Sequence, residues 1–304
     1  SPIHFLRTFP WFWRFVRAGR ADRIPQVADA LFEICSRADA AFDELVEFAA
    51  AGDFVRRDGF LYAYEDRKKF ASARPNIAFA TRRGMVFDEL SGDEAREIEP
   101  ALPRSIVAAF HRPNEALVTD PLALTRRLAA CFEELGGTVM NAEVTGFGDS
   151  SQVVSSSGET PPPVATTSGR LQADTVVVAA GAWTPGLAEN LGLNVPIQAE
   201  RGYHAEIADP GFELKIPVSF GDRHLAVSPM LGRTRFSSGA EFAPVDASPN
   251  WRRLEQILDS ARHYYPDLAS EGHTRWMGGR PSTPDSLPVI GASRRHPQVL
   301  FASG

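Results

Sequence analysis

The 304 residues contain only two cysteines, Cys35 and Cys131, both inside segments with helical periodicity. They read as small buried hydrophobes, not as a disulfide or a metal pair, a usage that suits a reducing cytosol. No run approaches the ~18 apolar residues needed to cross a bilayer. A GxGxxG turn, a Walker-type phosphate loop, a nucleophile elbow and HExxH are all missing. The seven histidines (His4, His111, His204, His224, His263, His273 and His296) have no metal-ligand spacing among themselves, which argues against a metalloenzyme. A net charge of -6 without a basic stripe argues against nucleic acid as the main partner.

What is present is the composition of a globular protein, 43% hydrophobic and 23% charged, long enough for one large or two medium domains. The segment Phe9–Arg17 is aromatic and basic. Two readings stand for it: a short helix packing its rings inward, or a helix lying on a membrane surface. It has no basic n-region before it and no small-residue cleavage site after it, so it does not read as a signal peptide. Apolar spacing of three and four predicts a helix from Ile24 to Ala51, capped by Gly52. Ser91-Gly92-Asp93-Glu94 is a capping box, and Asp120-Pro121 opens a helix that Gly136-Gly137 ends. Residues 60–64, 107–110, 138–144, 195–207, 223–229 and 233–238 read as strands, and Ser248-Pro249 opens a helix running to Tyr265. The Ser-, Gly- and Pro-rich stretch 150–170 reads as a surface excursion between strands.

Three segments carry candidate chemistry. Val176-Val177-Val178-Ala179-Ala180-Gly181-Ala182-Trp183-Thr184 reads as a fully buried strand, a glycine turn and a helix start, where small residues let backbone approach a flat or phosphorylated ligand. In Gly279-Arg280-Pro281, stiff neighbours fix an arginine whose guanidinium suits a carboxylate. It serves either as an anchor for an acidic substrate group or as a partner of Asp285 or of a strand end. In Arg201-Gly202-Tyr203-His204 the Tyr and His point to opposite faces of a strand, so at most one faces a given pocket. Tyr203 could donate to a carboxylate and His204 could move a proton; the alternative is a half-buried strand with one satisfied polar tip. Trp183 and Trp276 read as core or pocket-wall aromatics, and Asp120 as a helix cap.

Together, Thr119-Asp120-Pro121, Ala142-Glu143-Val144, Val176 to Trp183, Pro196 to His204 and Trp276 to Gly291 resemble the D-amino-acid oxidase/dehydrogenase family of flavoproteins, most of all its dehydrogenase branch. The resemblance runs over essentially the whole chain. It implies an α/β (α+β) protein: a partial FAD-binding Rossmann-like domain (111–194 and 279–304) and a mixed or antiparallel-sheet substrate domain (1–110 and 195–278). It implies FAD contacts by Val144, Ala180, Gly181, Trp183, Gly279, Arg280 and Gly304. Arg280 is expected to hold the substrate carboxylate, and Tyr203 and His204 to face the flavin, with His224 a weaker candidate. The implied reaction is oxidation of the Cα–N bond of a D-amino acid by hydride transfer to flavin N5, giving a 2-oxo acid and ammonia.

The match also departs from the family. Family members begin with a strand, a GxGxxG turn and a helix that hold the FAD pyrophosphate, and they continue into a Gly-His-Gly loop where this sequence reaches Ser303-Gly304. The sequence therefore reads as an internal segment, and the 304-residue chain alone is expected not to retain FAD; stoichiometric flavin absorbance on the purified chain would contradict this. Two alternatives stay open: a non-catalytic paralogue acting as an interaction module, or a flavoenzyme of the same fold acting on a secondary amine or a 2-hydroxy acid. The expected location is cytoplasmic, with the inner membrane face and a quinone or electron-carrier acceptor suggested by the aromatic segment.

Overall fold

A computed structural model describes residues 2–148 and 161–304, with side chains from Thr8 onward. Its centre is an eight-stranded sheet. In spatial order the strands are Thr274–Ser282, Gln198–Ile207, Arg233–Phe242, Leu225–Met230, Val218–Phe220, Phe60–Tyr64, Ala108–Arg112 and Asp88–Ser91. All neighbours are antiparallel except Val218–Phe220 beside Phe60–Tyr64, so the sheet is mixed. Period-two alternation sends Leu61, Ala63, Tyr203, Ala205, Val218, Phe220, Leu225, Val227 and Phe236 to one face. The helix Arg252–Tyr264 covers that face with Leu254, Ile257, Leu258 and Ala261. On the opposite face, the helix Arg67–Thr81 covers one end only, stacking Phe70 on Phe110 at 4.4 Å. At the other end of that face the helix Pro2–Ala18 packs Trp11 and Phe12 on Phe242, which pairs with Glu200, and the candidate chemistry lies on the more open rungs beside it.

A second, three-stranded sheet places Val299–Ser303 between Val289–Ala292 and Val176–Val178. Val178, Val299 and Phe301 pack against Phe147, Ala188, Leu191 and Ile197. The expected fully buried strand is half covered: Val177 is 57% exposed. Val177 shares its face with Leu300, Ala302 and Ile290 through the pairing register, and no described residue covers that face. Val176–Val178 is also the last strand of its sheet, with no partner on its outer edge among the described residues.

Local signals were read closely. Asp120 caps the helix Pro121–Glu134 by accepting from Leu122 and Ala123 N–H at 3.1 and 3.0 Å. Ser91 and Glu94 form the reciprocal capping box. Five readings differ. The helix Ile24–Phe48 ends before Gly52: Ala50 takes the left-handed position at φ 47, and Ala51 N–H closes onto the Val46 carbonyl. Residues 138–143 are not a strand; pairing begins at Val144–Phe147, against Val164–Thr166. That partner forms a hairpin with Gly169–Leu171, so the 150–170 excursion carries structure at its end; its residues up to 160 lie outside the described ones. The helix expected from Ser248 begins at Arg252. Cys131 is buried, but Cys35 is exposed because its side of the long helix has no described cover.

The helix Pro2–Ala18 divides the two readings of its aromatic segment. Trp11 is buried against Phe242, its indole N–H donating to the Pro196 carbonyl at 3.1 Å, while Phe9, Trp13, Phe15 and Val16 are exposed. Among the described residues, no helix is long and apolar enough to cross a membrane.

Candidate functional site

Gln198–Ile207 and Thr274–Ser282 pair without a register break, so facing residues can be read rung by rung. Glu200 faces Arg280, Gly202 faces Gly278, and His204 faces Trp276. Alternation puts these six on the open face, and Arg201, Tyr203 and Met277 on the covered one.

The two glycines explain how the large side chains lie. A Cβ at Gly202 would stand 2.6 Å from an Arg280 terminal nitrogen, and one at Gly278 would fall inside the Trp276 indole. Arg280 and Trp276 therefore fold down onto the bare backbone of the central rung. Arg280 is 54% exposed and pairs with Glu200 at 3.3 Å, not with Asp285. The Glu200 carboxylate is held from its other oxygen by the Ser282 hydroxyl at 2.8 Å. Asp285 instead accepts from Leu287 N–H at 3.2 Å.

His204 stacks on Trp276 with ring centroids 4.8 Å apart and 13° between planes. Beyond it, Glu206 accepts from Arg235 at 2.7 Å and is ion-paired with Arg233 at 2.8 Å. Burial is the main cause that lowers the His204 pKa to about 4; the Arg235 and Arg233 charges add to it, and Glu206 opposes it. His204 is therefore a neutral imidazole at physiological pH. The unfolded imidazole takes its proton near 6.5 and the folded one near 4, so as pH falls the unfolded chain is protonated first. Stability is expected to fall between about pH 6.5 and 4 and to level off below that. Urea unfolding across this window should show a smaller pH slope for His204→Gln than for wild type; equal slopes would contradict the assignment.

On the covered face, Tyr203 is 2% exposed. Its hydroxyl donates to Glu241 at 2.5 Å and accepts from Arg201 at 3.1 Å and from Asn250 N–H at 2.9 Å. Its partners are thus protein groups, on the side away from Arg280. His224, at φ 53, lies exposed in the turn before Leu225–Met230, its carbonyl accepting from the Ser238 hydroxyl.

Of the implied cofactor contacts, those of the Gly181–Trp183 turn lie against the Thr274–Ser282 strand. Gly181–Trp183 forms a short 3-10 turn packed on the Thr274–Ser282 strand: a Cβ at Gly279 would meet Ala182 at 3.4 Å. Gly181 takes φ +54 with open space where its Cβ would stand, so its backbone face is bare to a flat ligand. Ala180 is half-buried beside it, and Trp183 is 61% exposed. The small Ala180, Gly181 and Ala182 leave room for a flat ring of the isoalloxazine type. Val144 is exposed at the start of its strand, and Gly304 lies over Pro288, where a Cβ would come within 2.5 Å of the backbone.

Sequence reasoning missed Glu200, Gly202 and Gly278, and took Trp276 for a wall residue of unspecified place. The alternation within each strand was legible, but no signal in one sequence says which two strands are neighbours.

The sequence profile of the "FAD dependent oxidoreductase" family matches residues 11–304. A D-amino-acid oxidase of Bradyrhizobium diazoefficiens is 28% identical over 98% of this chain and 70% of that protein. A D-amino acid dehydrogenase of Dechloromonas aromatica is 30% identical over 78% of this chain, which spans 57% of that protein. Among solved structures, glycine oxidase from Geobacillus kaustophilus superposes with a TM-score of 0.74 at 24% identity, over 88% of this chain and 71% of that one. L-proline dehydrogenase from P. horikoshii gives 0.70 at 22% identity, over 86% and 71%. Likenesses at these identities establish a common fold.

Proposed function

The chain belongs to the FAD dependent oxidoreductase family, and from that premise we propose that it oxidises the Cα–N bond of a D-amino acid, with release of a 2-oxo acid and ammonia. The observation that carries this reading is Arg280, laid over the bare Gly202 backbone on the open sheet face. FAD, when bound, supplies the hydride acceptor. The chain's own task is then positioning more than acid–base work. Arg280 grips the substrate carboxylate, and its fork allows two charge-assisted bonds. His204, uncharged, gives the substrate amine a polar neighbour that does not repel it, and Trp276 forms the wall on which His204 stacks. Tyr203 acts from behind, bracing the strand through Arg201, Glu241 and Asn250. The large sheet forms the substrate side; the Val144 and Val176 strands, with Val289 to Gly304, form the cofactor side. Exposed Phe9, Trp13 and Phe15 with Arg14 and Arg17 support an electron acceptor at a membrane surface.

The relatives named D-amino-acid oxidase and dehydrogenase support the choice of substrate class. Structural neighbours titled L-proline dehydrogenase and iminodiacetate oxidase favour a secondary amine as the second reading. The test is anaerobic mixing of the full-length, FAD-loaded protein with panels of D-amino acids, secondary amines and 2-hydroxy acids. Flavin bleaching by D-amino acids is expected; bleaching by 2-hydroxy acids alone would overturn the proposal.

A further inference from the structure

Arg280 does not wait on the open face as a bare cation. Its rung partner Glu200 is already on it, at 3.3 Å, with the second Glu200 oxygen tied to Ser282 at 2.8 Å. Any carboxylate that binds Arg280 must therefore take it from Glu200 or share it. A simple carboxylate does this at a cost, because it leaves a second anion against the displaced one. An amino acid does not, because it is a zwitterion. Its carboxylate can go to Arg280 and its ammonium, one carbon away, to the Glu200 oxygen that Arg280 releases. Two ion pairs form where one is broken, and no charge is left bare. The resident pair is suited to such an exchange: Arg280 is more than half exposed, and exposed pairs are weakly held. Ser282 and the unbroken strand register keep Glu200 in place while its partner changes.

We infer that Glu200 is the ammonium-binding residue of the site, and that the Arg280–Glu200 pair selects amino acids over other carboxylates by exchanging ions with the zwitterion. This rests on the reading of Arg280 as the carboxylate anchor and adds to it the group that recognises the amine. It also supplies rejection as well as attraction. A 2-hydroxy acid of the same shape offers Glu200 a hydroxyl in place of a cation, so Glu200 loses Arg280 and gains no charge in return.

The test is Glu200→Gln in the FAD-loaded protein, with D-alanine and D-lactate as isosteric probes. Binding is read by protein fluorescence, since Trp276 shares the face of the strand that carries Arg280, and D-alanine turnover is read as KM. Glutamine keeps an oxygen for Ser282 and has no charge. The Kd and KM for D-alanine are expected to rise on the order of tenfold, and the Kd for D-lactate to fall, because Arg280 has lost its competitor. Ser282→Ala, which loosens Glu200 but keeps its charge, is expected to weaken D-alanine less. A merely structural role would move both ligands in the same direction. Shifts of the same sign, or no shift, would overturn the inference while leaving the anchor reading intact. Failure of the anchor itself looks different: Arg280→Ala would then bind both probes as wild type does, and both readings fall.

Discussion

Replacing Arg280 by Ala is expected to lower kcat/KM for the D-amino acid substrate by roughly a hundred- to a thousandfold, mostly through KM, and to leave the unfolding temperature unchanged. Each hydrogen bond from a charged group is worth about 1.5–3 kcal/mol, and a guanidinium offers a carboxylate two in parallel. Two such bonds amount to roughly 3–6 kcal/mol, and 1.4 kcal/mol is a factor of ten. The discount for solvent keeps the expectation at the lower end. Folding should be insensitive, because the side chain is half exposed and its ion pair is with Glu200 on the surface. Such a pair contributes about 0–1 kcal/mol. Arg280→Lys should recover part of the loss, since it keeps the charge but not the fork. Steady-state kinetics beside a thermal melt separate these outcomes. Unchanged kinetics would remove Arg280 from the site, and a large drop in melting temperature would make it a structural residue.

The opposite signature is expected one residue pair away, on the covered face. Arg201 is 1% exposed. Its guanidinium donates to the Ser248 carbonyl at 2.9 Å and the Tyr203 hydroxyl at 3.1 Å, and lies 3.6 Å from Glu241. Burial would raise the Glu241 carboxyl, but hydrogen bonds from Tyr203 and Asn250 and the Arg201 and Arg253 charges bring it below its ordinary value. Arg201→Met keeps the apolar stem and removes the charge. It takes a donor from the Ser248 carbonyl and from the Tyr203 hydroxyl and the nearby Arg201 charge from the Glu241 carboxylate, and is expected to destabilise the fold by about 3–5 kcal/mol. Tyr203→Phe removes one member of the same network and should cost less, about 1–3 kcal/mol. Denaturant unfolding of the two single variants and the double variant should show a non-additive total. A loss below about 1 kcal/mol for Arg201→Met would mean that water reaches the network. The stability that Glu241 contributes is present above its ordinary carboxylate range and is lost as pH falls from that range through its lowered folded value.

Adjacent residues of one strand thus divide the work, and the sequence displayed that division only in part. Tyr203 and His204, adjacent in one strand, must point to opposite faces whatever the fold. Which face is open depends on where the helices Arg252–Tyr264 and Arg67–Thr81 dock, and nothing local encodes that. Capping was legible for the same reason: Asp120 and the Ser91–Glu94 box act within one helical turn. The helix end near Gly52 misled because Ala50 accepts a left-handed conformation that glycine would take more cheaply. Val177 misled because three consecutive valines look alike whether a strand is covered on one face or two. Arg280 was found from its stiff neighbours, whereas Glu200 needed the pairing of residues eighty apart in the chain.

The most direct measurement is a crystal structure of the FAD-loaded protein with a non-reactive carboxylate ligand. The expected result places both carboxylate oxygens at about 2.7–2.9 Å from the Arg280 terminal nitrogens, on the open face. A carboxylate held elsewhere, with Arg280 still paired to Glu200, would contradict the central claim.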